Sequence, residues 1–292
     1  MGLQMKNIRG MFITAMIVFG TIGVFVRNIP VSSGELALYR AIMAALLLAG
    51  YFIITKQKID FRSFRKEIPL LLLSGAAMGI NWILLFEAYK YTTVSVATLS
   101  YYFAPVIVTV VSPFLFKEKM SFKQIVCFFM STVGLVLVVG VSDLGKSQTD
   151  HIGVLFGLGA AVFYAIVILL NKFIKEVAGI QRTFLQFLSA IVVLLLYVAF
   201  TSGFTLGKLD GKGWIYLLIV GFVHTGVTYC LYFSALKELP GQEAAILSYI
   251  DPLVAVMLSV FVLGEPITVL QVAGGGLILG FTLLNELKTN KG

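Results

Sequence analysis

The chain has 292 residues, of which 59% are hydrophobic and 12% are Asp, Glu, Lys or Arg, with a formal net charge of +8. Mean hydropathy is +0.98. A soluble chain of this length cannot hide that much apolar surface in one core, so lipid is the expected solvent.

Ten apolar stretches are long enough to cross a hydrocarbon core of about 30 Å as helices. They run roughly over 8–26, 34–54, 68–89, 94–116, 121–140, 152–171, 183–201, 214–236, 243–263 and 267–286. Short polar breaks separate them, among them TKQKIDFRSFRKE, VSDLGKSQTDH and TSGFTLGKLDGKG. The tracts are about twice the length of a barrel strand and lack strict alternation, which favours helices. The first tract follows Lys6 and Arg9 as a signal peptide would. It is longer than a usual signal core, and Arg27 and Asn28 come after it instead of a small-residue cleavage site, so it is read as a span.

Basic residues set the orientation. With the N-terminus inside, the inner segments hold 16 Lys and Arg and the outer ones five. That asymmetry predicts cytoplasmic termini and an inner (cytoplasmic) membrane location. It also accounts for the positive charge through anionic lipid, with no nucleic acid as partner.

The chain repeats itself. Sliding it by 147 positions pairs twelve identical residues within 79–124, including Lys90 with Lys237, Tyr102 with Tyr249, Pro105 with Pro252, Glu118 with Glu265 and Gln124 with Gln271. Five spans in each half is an odd number, so the second half must be upside down. The expected fold is an all-α integral membrane protein of ten transmembrane helices, arranged as two inverted five-helix repeats over residues 1–145 and 146–292. Such transporters hold their site near the midplane between the halves.

Candidate residues are the polar groups at mid-depth. Asp251 is the sharpest, since a charge there costs about 2.5–3.5 kcal/mol on insertion scales. It is either a cation or proton-coupling site or an acid satisfied by neighbouring hydroxyls. Pro252 adds a helix defect. Asn81 matches Thr228, Trp82 matches Tyr229, and Tyr102 matches Tyr249 in the repeat. As a set they suit a cavity wall for a small-molecule substrate, and aromatic faces beside a carboxylate suit a cationic group. The plainer account is packing and interhelical hydrogen bonding. His224 lies one turn from Thr228 and could relay protons, or be a hydrogen-bonded structural residue. Arg40 could snorkel to the outer interface or bind a substrate carboxylate. Glu118 and Glu265 end their helices at opposite faces, where packing or gating is expected, together with Pro105 and Pro252. Tyr164 and Asn171 are weaker candidates, and Glu87 reads as structural. GVLFG at 153–157 and GLILG at 276–280 are small-xxx-small patterns for close helix approach or for dimerisation, leaving a monomer or homodimer open.

Enzyme signatures are missing. GFTLGK at 203–208 has three residues between its glycines where a phosphate loop needs four. His151 and His224 are far apart, and Cys127 and Cys230 lie within spans, so no metal or cofactor is expected.

The tracts PVIVTVVSPFLFKE (105–118) and PLVAVMLSVFVLGE (252–265), Arg40 in LALYRAIMAALLL and the glycine-rich QVAGGGLILG carry a resemblance. With ten spans, the chain resembles the ten-helix EamA-type branch of the drug/metabolite transporter superfamily. That resemblance implies a secondary transporter of small metabolites working by alternating access, often an exporter of amino acids or their relatives. An importer or exchanger of a cationic amine or nucleoside-like metabolite, or a channel, is the alternative. Two departures stand out. Gln186 occupies about the position matching Arg40, and Ala104 is the partner of Asp251.

Overall fold

The structure is a computed structural model, and it describes residues 2–57, 59, 62–116, 121–140, 148–177, 179–236, 238–239, 244 and 247–286. Twelve α-helices account for most of them: α1 (Gly2–Val26), α2 (Ser33–Thr55), α3 (Ile68–Tyr91), α4 (Val94–Tyr101), α5 (Ala104–Phe116), α6 (Phe122–Gly140), α7 (Gln148–Phe173), α8 (Gly179–Phe200), α9 (Gly211–Leu218), α10 (Thr228–Leu236), α11 (Ile250–Phe261) and α12 (Val269–Glu286). A π-helical segment, Ile219–Val227, joins α9 to α10.

Among the described residues, seven helical stretches are long and apolar enough to cross a membrane: Asn7–Val26, Ser33–Thr55, Arg65–Tyr91, Val94–Phe116, His151–Phe173, Gly179–Phe200 and Gly211–Leu236. Three further apolar helices, Phe122–Val138, Ile250–Phe261 and Val269–Asn285, are shorter. The chain is an all-helical integral membrane protein. Helix is the required form because lipid offers no partner for an open backbone N–H or C=O. Capping fixes several starts. The hydroxyls of Ser32 and Thr93 accept from Glu35 N and Val96 N, and Asp210 accepts from Gly213 N. Lys56, at φ 54°, ends α2 in the left-handed region.

The helices pack in a definite order. α3 lies along α7 and α8, α2 along α8 and the π segment, α1 along α11 and α10, and α12 along α6, while α4 touches α7 and α11. The main core fills the space among α2, α3 and α8, with Phe86, Phe187, Leu48 and Leu194 essentially inaccessible. Large apolar residues such as Ile54, Phe114 and Phe261 face outward, as a lipid-facing surface requires. The GVLFG glycines let α7 approach the third and fourth spans. A Cβ on Gly153 would come within 2.6 Å of Thr92, and one on Gly157 within 2.9 Å of Ser100. The GLILG glycines do not: among the described residues Gly276 and Gly280 face open space, and the close approach of α6 and α12 falls at Gly134 and Gly274 instead.

Candidate functional site

Two broken spans build the centre. The fourth span stops being helical at Tyr102 and Phe103 and resumes at Ala104, just before Pro105. α11 begins at Ile250, directly before Asp251 and Pro252, with Tyr249 as its N-cap. Proline accounts for both restarts, since it cannot donate to the preceding turn and suits a helix start. The breaks face each other where α4 meets α11. There Tyr102 Oη donates to Asp251 Oδ2 at 2.6 Å. Asp251 stands in the first turn of α11, where the helix dipole favours an anion.

Helix α1 passes close to this point. A Cβ on Gly20 would lie 2.6 Å from the Asp251 carbonyl oxygen, so only glycine lets the two helices touch there.

Asp251 borders two connected cavities. The central one, of about 160 Å³, is lined by Arg40, Asn81, Trp82, Tyr102, Tyr229 and Asp251, with Tyr101 and Tyr164 beside them. The larger one, of about 520 Å³, continues from the same Asp251 and Tyr229 past Tyr249 to Asn171, Arg182, Leu236 and Asn285. Those last four residues sit at the end of α7, the start of α8, the end of α10 and the end of α12, so this cavity reaches one end of the bundle.

Arg40 is not at the interface. It is 4% exposed, its Nε donates to Thr225 Oγ1 at 2.7 Å, and its guanidinium lies 4.4 Å from the centre of the Trp82 ring and 5.4 Å from that of Phe86. Such stacking holds a desolvated cation at mid-bundle, where each ring contributes up to about 2 kcal/mol. Among the described residues, neither Arg40 nor Asp251 belongs to an ion pair.

The other expected residues divide. Asn81 lines the central cavity while its amide donates to Ala160 O at 2.6 Å. Trp82 and Tyr229 both line it. Thr228 does not line either cavity, and its hydroxyl donates to Val223 O, five residues back, at 2.7 Å. Thr225 makes the same five-residue bond to Val220 O. His224 lies 2.7 Å from the Thr21 hydroxyl on α1 and is 2% exposed, away from both cavities, which is the structural alternative. The π segment explains these placements: its i→i+5 bonding unwinds the helix and re-aims the side chains beyond it. Glu118 lies outside the described residues. Glu265 is bound at one end of the bundle by Arg27, Ser259 and Val94 N. Glu87 pairs with Lys90 at 3.1 Å. Asn171 takes the Gln186 amide at 2.8 Å and faces the larger cavity. The tyrosines at 101 and 164 form a stacked pair, centres 5.1 Å apart, whose role sequence alone conceals because apolar spans are rich in aromatics.

A membrane-embedded helical bundle surrounds the central cavity, and the likeness to known proteins makes the chain a membrane transporter rather than an enzyme. The EamA-like transporter family matches the chain twice, over residues 9–140 and 151–286, and the chain belongs to that family. It is 28% identical over 247 residues to the uncharacterised transporter YxxF of Bacillus subtilis, covering 84% of this chain and 78% of that one. A transporter of Archaeoglobus fulgidus is 27% identical over 270 residues, 92% of each chain. The inner membrane transporter YhbE of Escherichia coli is 32% identical over 155 residues, 51% of this chain and 48% of its own. A solved crystal structure shares the fold with a TM-score of 0.64 at 16% identity, over 94% of this chain and 96% of the other.

Proposed function

We propose that this chain is a secondary carrier that moves a small zwitterionic metabolite, of the amino-acid kind, by alternating access. One observation carries the reading. An acid and a base, Asp251 and Arg40, line the same cavity without an ion pair between them. Asp251 takes the substrate ammonium beside Tyr102, Tyr101 and Tyr229, and Arg40 takes the carboxylate. Asp251 also serves as the coupling group for a proton, and the direction is export. An intramembrane acid left without a base costs insertion energy, which a ligand contact offsets.

The same reading makes the halves, residues 1–145 and 146–292, inverted repeats of five spans, with both termini in the cytoplasm. Helix packing supports it. Exchanging each span with the one five later turns the α3–α7 contact into α10–α1, α3–α8 into the π segment on α2, and α1–α11 into α7–α4, and it leaves α2–α8, α6–α12 and α4–α11 unchanged. Each of these six contacts maps onto one that occurs. Cysteines placed in 201–213 should react with an impermeant thiol reagent in intact cells, and those in 55–67 should not; the reverse pattern overturns the orientation.

A cationic amine is the second reading. It is favoured by the Trp82, Phe86 and Thr225 contacts that already satisfy Arg40. Thermal-shift measurements on the purified protein separate the two, because a ligand that binds the folded state raises its midpoint. Zwitterionic amino acids should raise it where their esters and decarboxylated amines do not. Equal shifts by the amines remove Arg40 from the site. Counterflow of the stabilising ligand in liposomes then marks a carrier, whereas ohmic current without exchange marks a channel.

A further inference from the structure

Three cavities lie in a row through the bundle. Besides the central and the larger one, a third of about 290 Å³ opens beside Arg27 at the opposite end. The central cavity runs into the larger one along a shared wall that includes Tyr102, Tyr229 and Asp251. It meets the third only through Phe86 and Tyr89, which are 1% and 4% exposed. These two buried side chains therefore stand between the central cavity and the Arg27 end.

Their position is fixed from outside the helix that bears them. Arg27, just past α1, donates from Nε to Tyr89 O at 3.0 Å and from Nη2 to Thr92 O at 3.1 Å, holding the C-terminal carbonyls of α3. The same guanidinium pairs with Glu265, just past α11. Glu265 in turn accepts from Val94 N at 2.8 Å and from the Ser259 hydroxyl, and Ser259 accepts from Ser95 N at 3.3 Å. One acid thus satisfies the first amide of α4, the serine that takes the second, and the cation that grips α3. Removing it strands donors on two helices together, so the contacts part as a unit.

We propose that Arg27, Glu265 and Ser259 are a latch that keeps Phe86 and Tyr89 shut across the Arg27 end, and that its release joins the third cavity to the central one. The latch rests on the carrier reading and names the closed gate of one access state, with the larger cavity as the open side. At the opposite end Ser112, the repeat partner of Ser259, receives Lys172 Nζ at 3.4 Å instead.

The test needs no substrate. Ala255 lines the central cavity, so Ala255→Cys, with Cys127→Ala and Cys230→Ala, reports access to it. An impermeant thiol reagent is applied to right-side-out and to inverted membrane vesicles. Labelling is expected to be fast from the larger-cavity end and slow from the Arg27 end. Glu265→Gln or Arg27→Gln should speed the slow side about tenfold, the effect of weakening one charged hydrogen-bond set by a single factor of ten. Ser259→Ala should act in the same direction and more weakly. Unchanged labelling from the Arg27 end, with a lowered unfolding midpoint, overturns the latch and leaves a packing contact. If the charge variants do not fold, Ser259→Ala, which keeps both charges, decides: labelling from the Arg27 end should still be faster, and unchanged labelling overturns the proposal. Faster labelling in protein that no zwitterion stabilises supports the latch while removing the zwitterion reading.

Discussion

At the break of the fourth span, Tyr102 precedes a fully buried Ala104; at the start of α11, Tyr249 precedes Asp251, whose side chain borders both connected cavities. The two segments match residue for residue in tyrosine, proline and serine, and each restarts a helix at its proline. Their surroundings differ. One mirrored position is packed solid, while the other opens on polar space and receives a hydroxyl from its counterpart, since Tyr102 itself binds Asp251. Duplication supplies the crossing of two broken helices. The chemistry comes from one copy acting as acid and the other as donor.

Exchanging the acid for its amide tests that division most severely. Asp251→Asn should abolish accumulation of substrate against a gradient while the protein stays inserted and folded. If Asp251 binds the ammonium, exchange is lost too, with affinity weakened about 10- to 150-fold for about 1.5–3 kcal/mol. Survival of exchange alone makes it a coupling group. Normal transport at every pH makes the two copies equivalent and ends the comparison.

Moving the acid to the other copy comes next. Ala104→Asp puts a carboxyl where Ala104 is 0% exposed, so it should lower stability by at least about 2 kcal/mol, read as a depressed unfolding midpoint. A stable Ala104→Asp protein would mean that the first break also has a cavity to offer. Tyr102→Phe removes the donor and keeps the ring. It should weaken substrate binding about tenfold, whereas Tyr249→Phe should do less, and equal effects would show the tyrosines acting alike.

Glycines give the smallest and cleanest contrast. Gly20→Ala drives a methyl into the Asp251 backbone and should cost about 1–3 kcal/mol. Gly276→Ala meets nothing among the described residues and should stay within about 0.5 kcal/mol by the same unfolding measurement. A large loss at Gly276 would point to a neighbour outside the described residues.

Much of the architecture is legible in the sequence because lipid leaves few choices. Apolar runs mark the helices, and Asp251 stands out as an unexpected charge among them. Three things are not legible. Arg40 reads as a candidate for snorkelling because its depth can be counted, but the direction of its side chain depends on Trp82, Phe86 and Thr225 meeting it from other spans. Asn81 and Thr228 read as equivalent because the repeat offset assumes equal winding. The unbroken α3 keeps that winding, and the π segment Ile219–Val227 does not. Arg27 reads as an ordinary boundary cation, because its partner Glu265 is remote in sequence and adjacent only after α1 packs on α11.

The depth of Asp251 also has an electrical side. Twelve residues of α11 at about 1.5 Å each put its start about 18 Å from the far end of that helix, well inside a hydrocarbon layer of about 30 Å. A charge there lies within the membrane field. An ion that reaches it from one face and departs to the other crosses the full potential, about 2.3 kcal/mol for each 100 mV. If the proposed proton coupling at Asp251 moves net charge in each cycle, clamping vesicles at opposite potentials should change the balance of the two directions without altering a single contact.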